Sequence, residues 1–347
     1  LKILIIQQKM IGDVLTSSIL FEALRLKYPK GQLDYLINEH TVAVVENNPN
    51  IDNFLLFTKE TERSKAKLLK FAKSVENKKY DIVIDVYSKL SSNLISLFSG
   101  AKTKISYHKY YTTLFYHYNI KRKKNNNGKT GLAIINRMQL LEPLGIETTF
   151  IKPKIYLTEK EISTGKDFLI KHQIDFNKPL YMISVLGSGE KKTYPFSYMA
   201  EVIDTIVKET SGQILFNYIP KQETEAKTIF DLCKPETQKN IYFHVFGKRL
   251  RAFLAITYHC DALIGNEGGA INMAKALNIK TFAIYSPWID KATWNLFENN
   301  NNASVHLKDF KPELYTKAEK KYKKEAPALY KKFEPQLFIN KLKAFLK

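Results

Sequence analysis

Short runs of Ile, Leu, Val, Phe and Tyr alternate with stretches in which apolar residues return at helical spacing, and the alternation continues along most of the chain. That pattern belongs to βαβ units, in which helices cover both faces of a parallel sheet. In the first half it predicts strands at Lys2–Gln7, Gln32–Ile37, Asn53–Phe57, Asp81–Asp85 and Lys104–Tyr107. Helices are predicted at Val14–Tyr28, Thr61–Asn77 and Gly131–Leu144. A polar connection with Pro153 and Pro179 leads into a second series, with strands at Leu180–Val185, Gln213–Tyr218, Ile241–Val245, Ala262–Gly265 and Lys280–Tyr285. Its helices fall at Phe196–Thr210, Gln222–Cys233, Leu250–Tyr258 and Gly269–Leu277. The expected class is α/β, with two open parallel sheets in tandem and a cleft between them. At 347 residues and 44% apolar content the chain is long enough for two cores and too apolar for disorder.

The expected division is an N-terminal domain over 1–155, a second domain over 156–325 and a basic amphipathic helix over 326–347. The last has apolar positions Leu337, Phe338, Leu342, Phe345 and Leu346, and it is expected to pack back on the N-terminal domain. Its other reading is a helix lying on anionic lipid. Cys233 and Cys260 stand far from any paired-Cys or Cys/His spacing, so they read as buried thiols in a reducing compartment. No run approaches the roughly 20 apolar residues of a membrane span, and the opening LKILIIQQKM is too short for a signal peptide. The expected location is cytoplasmic, at the cytoplasmic face of the inner membrane.

The formal charge is +20, from 54 Lys and Arg against 34 Asp and Glu, and a field of that sign gathers polyanions. Between Val86 and Leu141 there is no Asp or Glu. Lys102, Lys104, Lys109, Lys121, Arg122, Lys123, Lys124 and Lys129 gather there among six Tyr and Phe residues, around an Asn-rich loop at Asn125–Gly128. This stretch reads either as a solvated loop with core aromatics or as a face for an acidic amphiphile or membrane surface. Nucleic acid is excluded as a partner, because no helix-turn-helix, RNA-binding sheet motif or zinc module is present.

Three strand-to-helix junctions carry chemistry. After the first strand come Gly12, read as permitting a tight turn, and Asp13, expected at a strand tip facing the cleft. Asp13 can cap a helix or act as a general base, and one carboxylate can do both. After the first strand of the second series, Gly187-Ser188-Gly189 leads through Lys191 and Lys192 to Pro195. Hydroxyls, backbone N–H groups and two lysines at a helix start suit a diphosphate, although a plain turn also fits, and no Walker spacing is present. At the third junction, Glu267-Gly268-Gly269 precedes a small-residue helix. There Glu267 can accept hydrogen bonds from sugar hydroxyls, and Ser286-Pro287-Trp288 forms either a second wall of the crevice or a turn with a packed Trp.

The opening KILIIQQKMIGDVLTSSILFEALRLKYP, the KKTYPF segment and GNEGGAINMAKALNIKTFAIYSPW, in this order over about the first 290 residues, resemble glycosyltransferase family 9, the heptosyltransferases of lipopolysaccharide core assembly. The resemblance implies a GT-B architecture, two Rossmann-like domains with parallel sheets facing across a cleft, the donor held mainly by the second and the acceptor by the first. It also implies inverting, metal-independent transfer of a sugar, with no cofactor. The donor would be a nucleotide-diphospho-sugar, ADP-linked by the resemblance, and the acceptor an acidic glycan or glycolipid. It further implies that Asp13 is the catalytic base, that Lys192 and Ser188 meet the donor phosphates, and that Glu267, Gly268, Gly269 and Asn272 form the nucleotide-sugar turn. In that turn Glu replaces the family's Asp, Gly replaces its Ser or Thr, and Asn replaces its His, while Tyr194 stands where Trp follows the lysine. Gly12, Arg63, Lys121 and Arg122 are expected at the acceptor, with Lys59, Lys65 and Lys67 nearby. Two other readings stay open: a GT-B sugar-nucleotide epimerase, and a non-enzymatic binder of membranes or polyanions.

Overall fold

The structure is a computed structural model of the chain and describes residues 1–124, 130–147, 150–317 and 319–347, with the backbone alone at 319 and 320. The Asn125–Gly128 loop and Lys129 lie outside the described residues. Two compact units emerge, Leu1–Tyr156 and Leu157–Lys347.

In the first unit, β1 (Lys2–Ile6), β2 (Gln32–Asn38), β3 (Asn53–Phe57), β4 (Ile82–Asp85), β5 (Thr103–Tyr107) and β6 (Tyr118–Ile120) form one sheet in the order β3-β2-β1-β4-β5-β6. Every neighbouring pair is parallel. Residues Ile3 to Ile6 of β1 are wholly buried, as a central strand covered on both faces requires. The chain runs outward from β1 to β3 and then returns to β4 on the other side of β1. The order therefore reverses between β1 and β4, and the crevice beyond the carboxyl ends of those two strands is where such sheets hold ligands.

In the second unit, β7 (Leu180–Ser184), β8 (Gln213–Phe216), β9 (Ala262–Asn266), β10 (Lys280–Ile284) and β11 (Asn302–Val305) form a parallel sheet in the order β11-β10-β9-β7-β8. Here the reversal falls between β7 and β9.

Several expected elements change. Val14–Tyr28 is two helices, Ile11–Ser17 and Ile19–Lys27, with Ser18 between them donating its hydroxyl to the Leu15 carbonyl at 2.7 Å. Thr61–Asn77 likewise divides at Ser64, whose extended backbone and Oγ cap the helix Lys65–Glu76. The segment Ile241–Val245 is not a strand: it makes a single bridge from Ile241 to Ile214. Neither β6 nor β11 was expected.

The tail is also corrected. Phe338 and Leu342 are buried in the core of the second unit with Ile203, Phe282 and Phe333, and Lys343 pairs with Glu209 at 2.8 Å. The apolar face of the helix Ile339–Leu346 is thus used inside the second unit rather than on the N-terminal domain or on lipid.

Candidate functional site

Beyond Ile6 the chain crosses Gln7–Met10 and enters the helix Ile11–Ser17 at the reversal point of the first sheet. Gly12 is the second residue of that helix, so the expected tight turn is absent at Gly12. Asp13 lies in its first turn, where the N-terminal dipole favours a carboxylate. Its Oδ2 accepts the Met10 N–H at 3.3 Å, and its Oδ1 accepts from Arg137 Nη2 at 2.7 Å. Arg137 is buried and anchored on two further sides, donating from Nε to Ser17 Oγ at 2.8 Å and from Nη1 to the Ala133 carbonyl at 2.9 Å. Asp13 keeps 28% of its side chain exposed, so its carboxylate, held by Arg137 on Oδ1 and by the Met10 N–H on Oδ2, still reaches solvent.

Of the expected acceptor residues, Gly12 lies in this turn and Arg122 shares its surroundings. The Arg122 guanidinium lies 3.8 Å above the ring of Tyr107, at the end of β5. Burial raises the Tyr107 hydroxyl, Arg137 and Arg122 oppose that shift, and Asp13 adds to it, so the four groups share one electrostatic neighbourhood. Arg63 ends the exposed helix Lys59–Arg63, whose Glu62 pairs with Lys9 four residues before Asp13 and raises the lysine's pKa. Lys121 is exposed next to Arg122 in the chain.

In the second unit the ends of β7, β9 and β10 converge. Gly187 folds back so closely on Lys192 that a Cβ would stand 2.1 Å from the Lys192 carbonyl oxygen. Its N–H donates to Thr193 Oγ1 at 3.1 Å, which closes the turn on itself. Asn266 then ties the turn to the sheet, accepting the Tyr194 N–H at 2.7 Å and donating to the Ser184 and Val185 carbonyls at 2.9 Å each. Ser286 Oγ and Trp288 Nε1 both donate to the Lys191 carbonyl, at 2.7 and 2.9 Å, so Ser286–Trp288 braces the lysine turn.

This scaffold puts Lys192 Nζ 3.2 Å from Glu267 Oε1 and 5.6 Å from the centre of the Trp288 ring. The 3.2 Å separation makes an ion pair, yet it is off the line of a hydrogen bond. Glu267 Oε1 is shielded from solvent with no hydrogen-bond partner among the described residues. Gly268 has φ +153°, and a Cβ there would meet open space, as it very nearly would at Gly269, where the helix Gly269–Ala276 begins. Asn272, one turn further on, is half-buried, and Ser188 is exposed on the opposite turn. Tyr194, by contrast, is wholly buried, and its hydroxyl donates to the Phe333 carbonyl, which makes it a core residue.

A lysine, an unsatisfied carboxylate oxygen and a helix N-terminus around an open glycine turn can hold a sugar diphosphate. Arg137 completes the first site without having been singled out from the sequence, while Gly187 and Asn266 stand inside the candidate motifs without a role of their own having been read. Arg137 left only the trace of one charge inside the apolar run LAIINRM. Among the described residues no group of three or more His, Cys, Asp or Glu could hold a metal ion. Cys233 and Cys260 are free and buried, and burial pushes the Cys233 thiol up to about 12.

The family model for glycosyltransferase family 9 (heptosyltransferase) matches residues 68–323. Lipopolysaccharide heptosyltransferase 1 of Campylobacter coli is 24% identical over 313 residues, covering 88% of this chain and 89% of the relative. Among solved structures, a family 9 glycosyltransferase from Veillonella parvula superposes with TM-score 0.72 at 18% identity, covering 95% of this chain and 97% of the other. The ADP-heptose lipopolysaccharide heptosyltransferase II of E. coli does so with TM-score 0.69 at 17% identity, over 96% and 99%. The two parallel sheets are thus those of the heptosyltransferase structures, and with the family model matched over most of its length the chain belongs to glycosyltransferase family 9.

Proposed function

We propose that this glycosyltransferase moves a sugar from an ADP-linked diphospho-sugar to an acidic glycan or glycolipid of the lipopolysaccharide-core kind, with inversion and without a metal ion. The observation that carries this reading is the meeting of Lys192, Glu267 and the Gly268–Gly269 helix start at the reversal point of the second sheet. ADP is favoured because the E. coli relative is named for ADP-heptose. The transferred sugar is heptose or a close analogue. Glu267 reaches one methylene further than the family's Asp, so the sugar hydroxyls are met differently.

In this account the unit Leu1–Tyr156 takes the acceptor and the unit Leu157–Lys347 takes the donor. Asp13 removes the proton from the acceptor hydroxyl as that oxygen attacks the anomeric carbon, on the side opposite the diphosphate. Arg137 fixes Oδ1, and Oδ2, which holds only the long contact from the Met10 N–H, takes the proton. The C–O bond to the diphosphate breaks, and the leaving charge falls to Lys192, Ser188 and the amides of the Gly269 helix start. Lys192 exchanges Glu267 for phosphate, which frees Glu267 to accept a sugar hydroxyl. Gly12, Arg63, Lys121 and Arg122 receive the anionic acceptor, and Asn272 borders the donor.

Peripheral association with the cytoplasmic face of a membrane belongs to the same proposal, because a lipid-linked acceptor would be met there; no helix among the described residues is long and apolar enough to cross a membrane. The test is to incubate the protein with ADP-, GDP- and UDP-sugars with and without core glycan, alongside melting measurements. ADP-sugar should raise the melting temperature most and be consumed only when glycan is present. Conversion of a donor alone would instead make the protein an epimerase. Failure to bind any nucleotide would remove the donor site.

A further inference from the structure

The 3-10 turn Tyr110–Phe115 in the first unit carries large apolar side chains in water: Tyr110 is 94% exposed, Tyr111 70% and Leu114 98%. With three residues per turn, Tyr111 and Leu114 lie one above the other. Thr112 faces inward, buried, with its N–H on the Lys109 carbonyl at 2.9 Å. The helix Leu90–Phe98 packs beside this turn, and Lys109 Nζ donates to the Ser88 carbonyl just before it. Leu90, Leu94 and Leu97 share one side of that helix, with Leu90 75% exposed. Tyr110, Tyr111 and Leu114 on the turn and Leu90 on the helix beside it are thus exposed apolar side chains on two elements in contact, and exposed apolar groups of this kind mark a docking surface.

Its rim is cationic. Burial lowers the pKa of Lys109, and Lys89 and Arg122 lower it further, so these three charges crowd one another. Lys121, Lys123 and Lys124 follow β6 directly, and no Asp or Glu occurs between Val86 and Leu141 to offset them. A soluble phosphorylated ligand would use the charges but gain nothing from Leu114 and Leu90. A lipid headgroup boundary uses both: the apolar tips enter it, the tyrosines lie across it and the lysines meet the phosphates.

We propose that this face seats on an anionic phospholipid bilayer, with Leu90, Tyr110, Tyr111 and Leu114 inserted and Lys89, Lys109 and the basic run after β6 facing the headgroups. It deepens the functional reading by saying where a lipid-linked acceptor is met, and rests on that reading only for its purpose. The experiment contains neither donor nor acceptor, so each can fail alone.

The full chain is sedimented with phosphatidylcholine vesicles, with and without phosphatidylglycerol. It should bind the anionic vesicles at least roughly tenfold more tightly than the neutral ones, and raised salt should release it. Tyr110→Ser/Tyr111→Ser/Leu114→Ser should lower the partition onto anionic vesicles roughly tenfold or more. Leu114→Ser alone, at a side chain standing in water, should weaken binding with the melting temperature unchanged. Equal partition of wild type and triple variant would overturn the proposal. So would binding to heparin but not to vesicles, or a dimer that the triple variant dissolves in a protein that ignores vesicles.

Discussion

A carboxylate proposed to take a proton in one geometry needs a group that aims it, and at Asp13 the group in place is Arg137, 124 residues away in sequence. The Gly-Asp pair after the first strand makes Asp13 legible; its partner is not, because the helix Leu132–Met138 reaches it only through the fold. Arg137→Met should lower turnover roughly tenfold to 100-fold by loosening the carboxylate, with donor affinity unchanged. Arg137→Lys should recover only part of this, since one ammonium cannot reproduce contacts to Asp13, Ser17 and Ala133 together. A kcat/KM profile showing no change in kcat would make Arg137 merely structural. Gly187 makes the corresponding case at the donor site: in Gly187→Ala the new methyl collides with the Lys192 carbonyl. Calorimetric titration with ADP should then show affinity down roughly tenfold, with a small change in melting temperature.

Elements were legible where a single local pattern decided them. The buried strands β1, β7, β9 and β10 are near-continuous apolar runs and were read within a residue or so of their ends. The segment Ile241–Val245 has the same look, but Phe243 spends its ring on Tyr218, Phe230 and Phe216, and side-chain packing replaces the ladder. The edge strand β11 was hidden because its sequence, NASV, is small and polar, and Asn302 earns its place by accepting the Thr281 hydroxyl at 3.0 Å. His306 follows β11 directly, and burial lowers its pKa from 6.5 to about 4, with Asp309 opposing. Between those two values the unfolded chain binds a proton that the native chain refuses. The contribution of His306 is therefore intact above pH 6.5 and lost as pH falls towards 4, by on the order of 3 kcal/mol at most. His306→Asn should flatten the melting temperature between these pH values; an unchanged pH slope would exclude His306 as its source.

At the scale of the whole molecule, two parallel sheets in tandem were legible from the alternation of runs, and the tail was not. An amphipathic helix announces that it has an apolar face but not which surface will cover it. Here Phe338 and Leu342 fill the core of the second unit. The candidate residues of each sheet lie where its strand order reverses, with Asp13 after β1 and the Lys192–Glu267 pair after β7 and β9. The central claim is that these two sites serve one reaction: a carboxylate of the first unit activates the hydroxyl that displaces a diphosphate held by the second. Steady-state turnover of Asp13→Asn at saturating donor tests it most directly. The account predicts a fall of roughly 100-fold or more, with donor affinity as in the wild type; near-normal turnover would contradict it.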